Sequence, residues 1–373
     1  MPQKISPYQW YASILRDDAP LFSDLDSSVS EEELWQAGLE NGVLVLTNHK
    51  LSNSTTLASL SKTFTEKLHK YALNAAATEM GQKHELTKIL SKFSAQQIRC
   101  LLIKGTPLAY SHYPEPYLRS RCDTDILFAT KEDAEKAWLI LKELGYERPN
   151  AVSGEYVSHE FSCYRKEKIG ISHAMDMHWK ISNSQVYARA FAFEELYSQS
   201  RTVDELDENA HALSDTYALL LACLHRIAHK PEGMHNRLIW LYDIHLLATG
   251  FTPEQWEELY TLASHKGFCG ICLDGLKTTM ATLGTDIDDD LIKQFEDSAR
   301  NERYDSSIND SRIGSTITNL QALPDWKSKL TLVKELFFPD PNYMMVKFDT
   351  RNKALLPYLY LKRAVGGLFK VFR

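Results

Sequence analysis

The segment Cys122-Asp123-Thr124-Asp125-Ile126-Leu127-Phe128 sets two carboxylates two residues apart at the head of an apolar run. In a strand, residues i and i+2 share a face, so Asp123 and Asp125 point the same way, ~6.6 Å apart along the backbone. Two acids on one face of an apolar strand are costly unless something positive neutralises them. A magnesium ion meets that need, because it takes a few carboxylates together with substrate phosphates. The plain alternative is a strand end with two solvated acids, and the pair alone leaves both readings open.

A third carboxylate lies in Met175-Asp176-Met177-His178-Trp179-Lys180. Alternation puts Asp176 and His178 on one face and Met175, Met177 and Trp179 on the other. Set beside the first pair, Asp176 would complete a two-metal site, which clamps the attacking and leaving oxygens of a displacement at phosphorus. A carboxylate there can also take the proton of the incoming hydroxyl. His178 suits a phosphate or substrate contact, and equally a structural hydrogen bond. Upstream, Lys104-Gly105-Thr106-Pro107 reads as a strand-to-helix turn, with Thr106 as N-cap and Pro107 as first helical residue. Free amides at a helix start bind phosphate, and glycine lets a ligand approach the backbone. Lys104, Arg119 and Arg121 add positive charge nearby. An ordinary turn has the same pattern.

Taken in order, Lys104-Gly105, Leu108-Ala109, Tyr113-Pro114, Arg119, Asp123-x-Asp125-x-Leu127 and Asp176-x-His178-Trp179 resemble an uncharacterised nucleotidyltransferase family of the polymerase-β-like superfamily. The resemblance takes in Leu224-His225 and Leu238-x-Trp240-Leu241-x-Asp243, and it runs from about Ile98 to Leu247. It implies a nucleotidyltransferase fold, a magnesium-bound nucleoside triphosphate (ATP by default) and Asp123, Asp125 and Asp176 as metal ligands, with one or two ions. Lys104, Gly105, Thr106, Arg119, Arg121 and His178 would then meet phosphate or substrate. The chain departs from the superfamily pattern in two places. The gap between Gly105-Thr106 and the acids is longer than usual, and Thr124 replaces the usual apolar residue between them.

These residues need a scaffold. Ile98–Ile103, Arg121–Phe128, Glu155–Tyr164 and Ile169–Ile181 read as strands, and Leu108–Tyr113 and Lys131–Leu144 as helices. That is a compact α/β unit. Before it, Glu31–Leu39 and Thr63–Ile89 show helical periodicity. After it, from Ala210 onward, helical patterns return at His211–His229, Arg237–Ala248, Pro253–His265 and Gly267–Leu283. The expected fold is α+β: a small mixed-sheet nucleotidyltransferase core at 96–205 between an N-terminal helical segment (1–95) and a C-terminal helical domain (206–373).

The expected reaction is transfer of a nucleoside monophosphate to an acceptor hydroxyl that the sequence does not identify. The alternative from another class is a catalytically inactive nucleotide-sensing or partner-binding module of the same fold. A third reading takes His225, His229 and Asp243 as ligands of a separate metal, although Arg226 stands where a metalloprotease helix carries glutamate. Cys269-Gly270-Ile271-Cys272 is a lone C-x-x-C, read as helix packing. A net charge of −7 and pI near 6.0 argue against general nucleic-acid or membrane-surface affinity. The chain has no apolar stretch of membrane-spanning length and no secretory h-region, so an integral membrane protein is not expected. Six cysteines without dense spacing in a chain this long fit reduced thiols in the cytoplasm. The last segment, from Lys362-Arg363 through Lys370 to Arg373, is locally basic. It suits a solvated terminal helix or contact with a membrane surface or partner.

Overall fold

The computed structural model describes residues 4–51, 54–166, 172–302 and 312–371. The strands are β1 (Cys100–Ile103), β2 (Thr124–Phe128), β3 (Glu160–Lys166), β4 (Ser172–His178), β5 (Arg201–Val203) and β6 (Asp207–Ala212). They lie in one sheet in the order β3-β4-β2-β1-β6-β5. β1 pairs with β6 in parallel, while β3 with β4 and β5 with β6 are antiparallel. With helices before and after, this is the expected α+β architecture on a mixed sheet.

Contacts divide the chain into two compact units, each assembled from separate stretches of sequence. The first comprises Met1–Lys92, Leu102–Thr124 and Ser200–Asp305, and the second Phe93–Leu101, Asp125–Gln199 and Ser306–Arg373.

In the first unit the helix Glu31–Asn41 starts where Ser30 predicts. Ser30 and Glu33 form a reciprocal capping box, and Gly42 ends the helix in the left-handed conformation at φ 70°. Phe64 and Leu68 bury one face of the long helix Lys62–Ala95. The helix Asp215–Ala228 buries Leu219, Leu220, Cys223, Leu224 and Ile227. Beside it, Leu238–Gly250 buries Leu241, Ile244 and Leu247. This three- and four-residue recurrence is the apolar stripe that makes these segments helices. β5 and β6 went unseen in the sequence. They are three and six residues long, and Asp207-Glu208-Asn209-Ala210-His211-Ala212 is too polar to show a strand pattern.

In the second unit Thr130 caps the helix Lys131–Glu143 by accepting from the Asp133 amide, and Ala134, Ala137, Ile140 and Leu141 face inward. β3 alternates, with Phe161 and Cys163 buried, and meets β4 over seven register pairs from Glu160↔His178 to Lys166↔Ser172. The strand expected from Glu155 begins five residues later. The amides of Glu155, Tyr156 and Val157 donate instead to the Glu335 carboxylate, at 2.7, 3.0 and 3.0 Å. Gly154 permits this, since a Cβ there would lie 2.3 Å from the Glu335 carboxyl carbon. The strand expected over Ile169–Ile181 is β4, and its first part, to residue 171, lies outside the described residues.

Candidate functional site

Asp125 comes from β2, and Asp176 and His178 from β4, all in the second unit. One ligand atom of each lies within 4.8 Å of the others, which makes this the metal-competent group among the described residues. β2 is buried along its whole length, with Ile126 and Phe128 wholly inaccessible, so Asp125 is fixed at 6% exposure on a strand that cannot move independently. On β4, Met175 and Met177 are buried on one face, which turns Asp176 and His178 to the other, as alternation requires.

His178 sits between two acids. Its Nε2 is 2.9 Å from Asp125 Oδ1 and its Nδ1 is 2.8 Å from Glu160 Oε2. A neutral imidazole donates from one nitrogen only. If Nδ1–H donates to Glu160, Nε2 presents a lone pair towards the Asp125 carboxylate, and a proton or a cation must lie between them. An oxygen pair with an imidazole nitrogen, the latter oriented through its far side by a carboxylate, is a donor set that suits a divalent ion. Burial holds the Asp176 carboxyl above its ordinary value, Asp125 pushes it further up, and a hydrogen bond from Ser162 opposes both. Crowded, desolvated carboxylates of this kind are relieved by a cation.

Glu160 and Ser162 escaped the sequence reading. Their signal was the β3 register, in which Glu160 pairs with His178 and Ser162 with Asp176. Asp123 stands outside the group. It precedes β2 by one residue, is half-buried, and acts on Arg119, whose charge it helps to hold.

The expected phosphate-binding residues of the first unit have other partners. Arg119 is 7% exposed and forms a two-pronged pair with Asp243, Nε to Oδ1 and Nη2 to Oδ2, both at 2.7 Å. Tyr113 donates to the same Oδ1 at 2.7 Å. Burial works against the guanidinium charge, but Asp243, Tyr113 and Asp123 together outweigh it, so Arg119 is held above its ordinary value. Arg121 and Tyr110 both donate to Glu79. The space before Gly105 is filled by Arg119, since a Cβ on Gly105 would lie 2.9 Å from its Cζ and Nη2. The small residue therefore makes room for a guanidinium.

The helix Gly105–Ser111 starts two residues earlier than expected, with Lys104 at the N-cap position. Thr106 is thus inside the first turn, 1% exposed, and its hydroxyl has no hydrogen-bond partner among the described residues. Lys104 itself has φ 60° and ψ −134°, a combination that L side chains rarely adopt and that costs about 1–3 kcal/mol. Strain of this kind persists where the surroundings dictate the turn, and β1 running into the buried helix does so here. Lys104 lines a narrow cavity of the first unit together with Arg119, Arg201, His225, Trp240 and Asp243.

The family model described as "Uncharacterised nucleotidyltransferase" matches residues 27–295, which include every residue of the acid–histidine group. The chain belongs to this nucleotidyltransferase family. No curated protein matches it.

Within this family member, the rival histidines make an aromatic cluster. The His225 and His229 rings are 4.6 Å apart and stand 4.6 and 5.1 Å from the Trp240 ring. Asp243, the third ligand of that reading, is bound to Arg119 and Tyr113. Cys269 and Cys272 are buried in the helix Cys269–Leu283, and burial pushes the Cys269 thiol up to about 12, so it packs as an apolar group. Among the described residues no helix is long and apolar enough to cross a membrane.

Proposed function

We propose that this chain transfers a nucleoside monophosphate from a nucleoside triphosphate, ATP by default, to an acceptor hydroxyl, with Asp125 and Asp176 as the central metal-holding acids. The observation that carries this reading is the convergence of Asp125, Asp176 and His178 in a member of a nucleotidyltransferase family. Asp123, two residues before Asp125, is the third acid of the set. One or two Mg²⁺ ions held there would neutralise triphosphate oxygens and stabilise charge at phosphorus. With Glu160 accepting from Nδ1–H, His178 would turn its Nε2 lone pair to an ion held beside Asp125. Asp176 would bind the second ion or accept the proton of an attacking hydroxyl. Arg119 and Arg121 shape the first unit through Asp243 and Glu79, and Gly105 and Thr106 serve the turn.

The test is a thermal-shift titration with each nucleoside triphosphate, with and without Mg²⁺, on the natural chain and on Asp125→Asn. A ligand at 100 times its dissociation constant adds ~2.7 kcal/mol of stability. Magnesium-dependent stabilisation lost in the variant, followed by pyrophosphate release in an acceptor screen, is the expected result. Absence of any shift refutes the reading. A second reading, a nucleotide-sensing module without turnover, is favoured by one observation: both arginines near the acids are neutralised by buried carboxylates. Triphosphate binding without pyrophosphate release across the screen would select it.

A further inference from the structure

The C-terminal helices of the second unit carry apolar side chains on their outward faces. In the helix Trp326–Phe337, Trp326, Leu330 and Phe337 recur at steps of four and seven, and are 76%, 58% and 49% exposed. That spacing puts them on one face, opposite the face that buries Ser328 and Leu332. Phe338 follows at 61%. In the helix Leu356–Val371, Tyr358, Leu361 and Val365 recur at steps of three and four, all exposed, with Lys362 on the same stripe. The two helices are tied together. Tyr360 donates to the Pro339 carbonyl at 2.8 Å, its ring lies 5.5 Å from Phe338, and Arg363 donates to the Leu336 carbonyl.

Charge identifies what covers these faces. Residues 326–373 hold ten Lys and Arg against three Asp and Glu, a net +7 in a chain whose total is −7, which leaves −14 on the preceding 325 residues. Lys327, Lys334, Lys347, Arg351 and Lys353 are exposed. A second copy meeting this surface face to face would set +7 against +7. A bilayer carrying anionic headgroups offers the opposite sign together with an apolar layer within reach of Trp and Phe.

We infer that the outward faces of the helices Trp326–Phe337 and Leu356–Val371 seat this protein reversibly on an anionic phospholipid surface. The aromatic and aliphatic stripe enters the headgroup boundary, the lysines and arginines neutralise phosphate, and no segment crosses. The inference stands apart from the transfer reaction, since none of its residues belongs to the acid–histidine group.

The experiment is co-flotation of the full chain with vesicles of phosphatidylcholine alone and of phosphatidylcholine with about a third phosphatidylglycerol, at low and high salt. Two surface variants accompany it: Trp326→Ser/Leu330→Ser/Phe337→Ser, and Lys327→Gln/Lys334→Gln/Lys362→Gln. All six positions are exposed, and unchanged melting temperatures establish that both variants fold. The natural chain should float with the anionic vesicles only, and salt should release it. The lysine variant should bind about fivefold more weakly per charge removed, and the apolar variant at least about tenfold more weakly. No flotation with anionic vesicles at low salt overturns the proposal, as does flotation that neither variant weakens. Sedimentation as a dimer that the apolar variant dissociates, without flotation, would assign the surface to a second copy. Retention of a single-stranded RNA probe without flotation would assign it to nucleic acid.

Discussion

Replacing Asp243 by Ala removes the acceptor of three buried hydrogen bonds at once, two from Arg119 and one from Tyr113, each 2.7 Å long. Arg119 and Asp243 are 7% and 5% exposed, so solvent cannot replace the lost partner. An unpaired buried charge of this kind costs about 3–5 kcal/mol. With a urea slope of about 3 kcal/mol per molar, the midpoint should fall by about 1–1.7 M. The measurement is urea unfolding followed by both fluorescence and circular dichroism. Two probes are needed because a chain of two compact units need not unfold in one step. Arg119→Met with Asp243→Leu should restore the part of the loss due to the unpaired charge, leaving about 1–3 kcal/mol for the Tyr113 hydroxyl without its acceptor. Gly105→Ala should damage the same pair from the other side, because the new Cβ would stand 2.9 Å from the guanidinium. Its effect should add little to that of Asp243→Ala. A loss under about 1 kcal/mol for Asp243→Ala, or a double variant as unstable as the single, would refute the reasoning.

Asp176→Asn should raise the metal-free melting temperature at neutral pH. The ionised carboxylate has a folded-state pKa above its ordinary 3.8, so its cost is complete above the raised value and fades as pH falls towards 3.8. The gain should narrow over that window, and the same variant should lose Mg²⁺-dependent stabilisation; a lower melting temperature at neutral pH would sink the argument. His159 is pushed down to about 4, chiefly by burial and then by Lys180, and its Nε2 accepts from Gln185 Nε2 at 2.9 Å. Stability should therefore be full above 6.5 and fall by about 3 kcal/mol as pH drops from 6.5 to 4; His159→Gln should flatten that slope in acid unfolding curves, and an unchanged slope would exclude the ring. Lys104→Gly should stabilise by about 1 kcal/mol in calorimetry by releasing the φ 60° strain. Loss of stability there would mean that the lysine's contacts outweigh its strain.

The α+β architecture and the two acid-bearing strands were readable because their signals are local. β2 is an apolar run headed by acids, β4 alternates a buried face with a polar one, and helix starts at Ser30 and Thr130 are written in three or four residues. Asp125, Asp176 and His178 converge as strand periodicity demands, whereas Glu160 needed the β3–β4 register, which no single segment encodes. The arginines show the limit most clearly. Arg119 and Arg121 look free in sequence because their partners, Asp243 and Glu79, lie 124 and 42 residues away. The same long-range contact explains Gly105, whose missing side chain serves an arginine fourteen residues on. The helix start at Gly105 was displaced by a backbone state at Lys104 that no propensity favours.

The β3–β4 pairing carries a consequence for how the gene can vary. Seven consecutive register pairs bind these strands, and Asp176 sits between the buried Met175 and Met177. One codon inserted between Ser172 and Asp176 would keep the reading frame and the composition yet shift the early part of β4 by one step. With the insertion just before Asp176, Met175 and His173 of the buried face would oppose Tyr164 and Lys166 instead of Cys163 and Arg165, or the acids would be driven into the core. Single-residue insertions should therefore be purged from β4 as strictly as loss of Asp176 itself, while paired insertions, which restore the alternation, should be tolerated far more often.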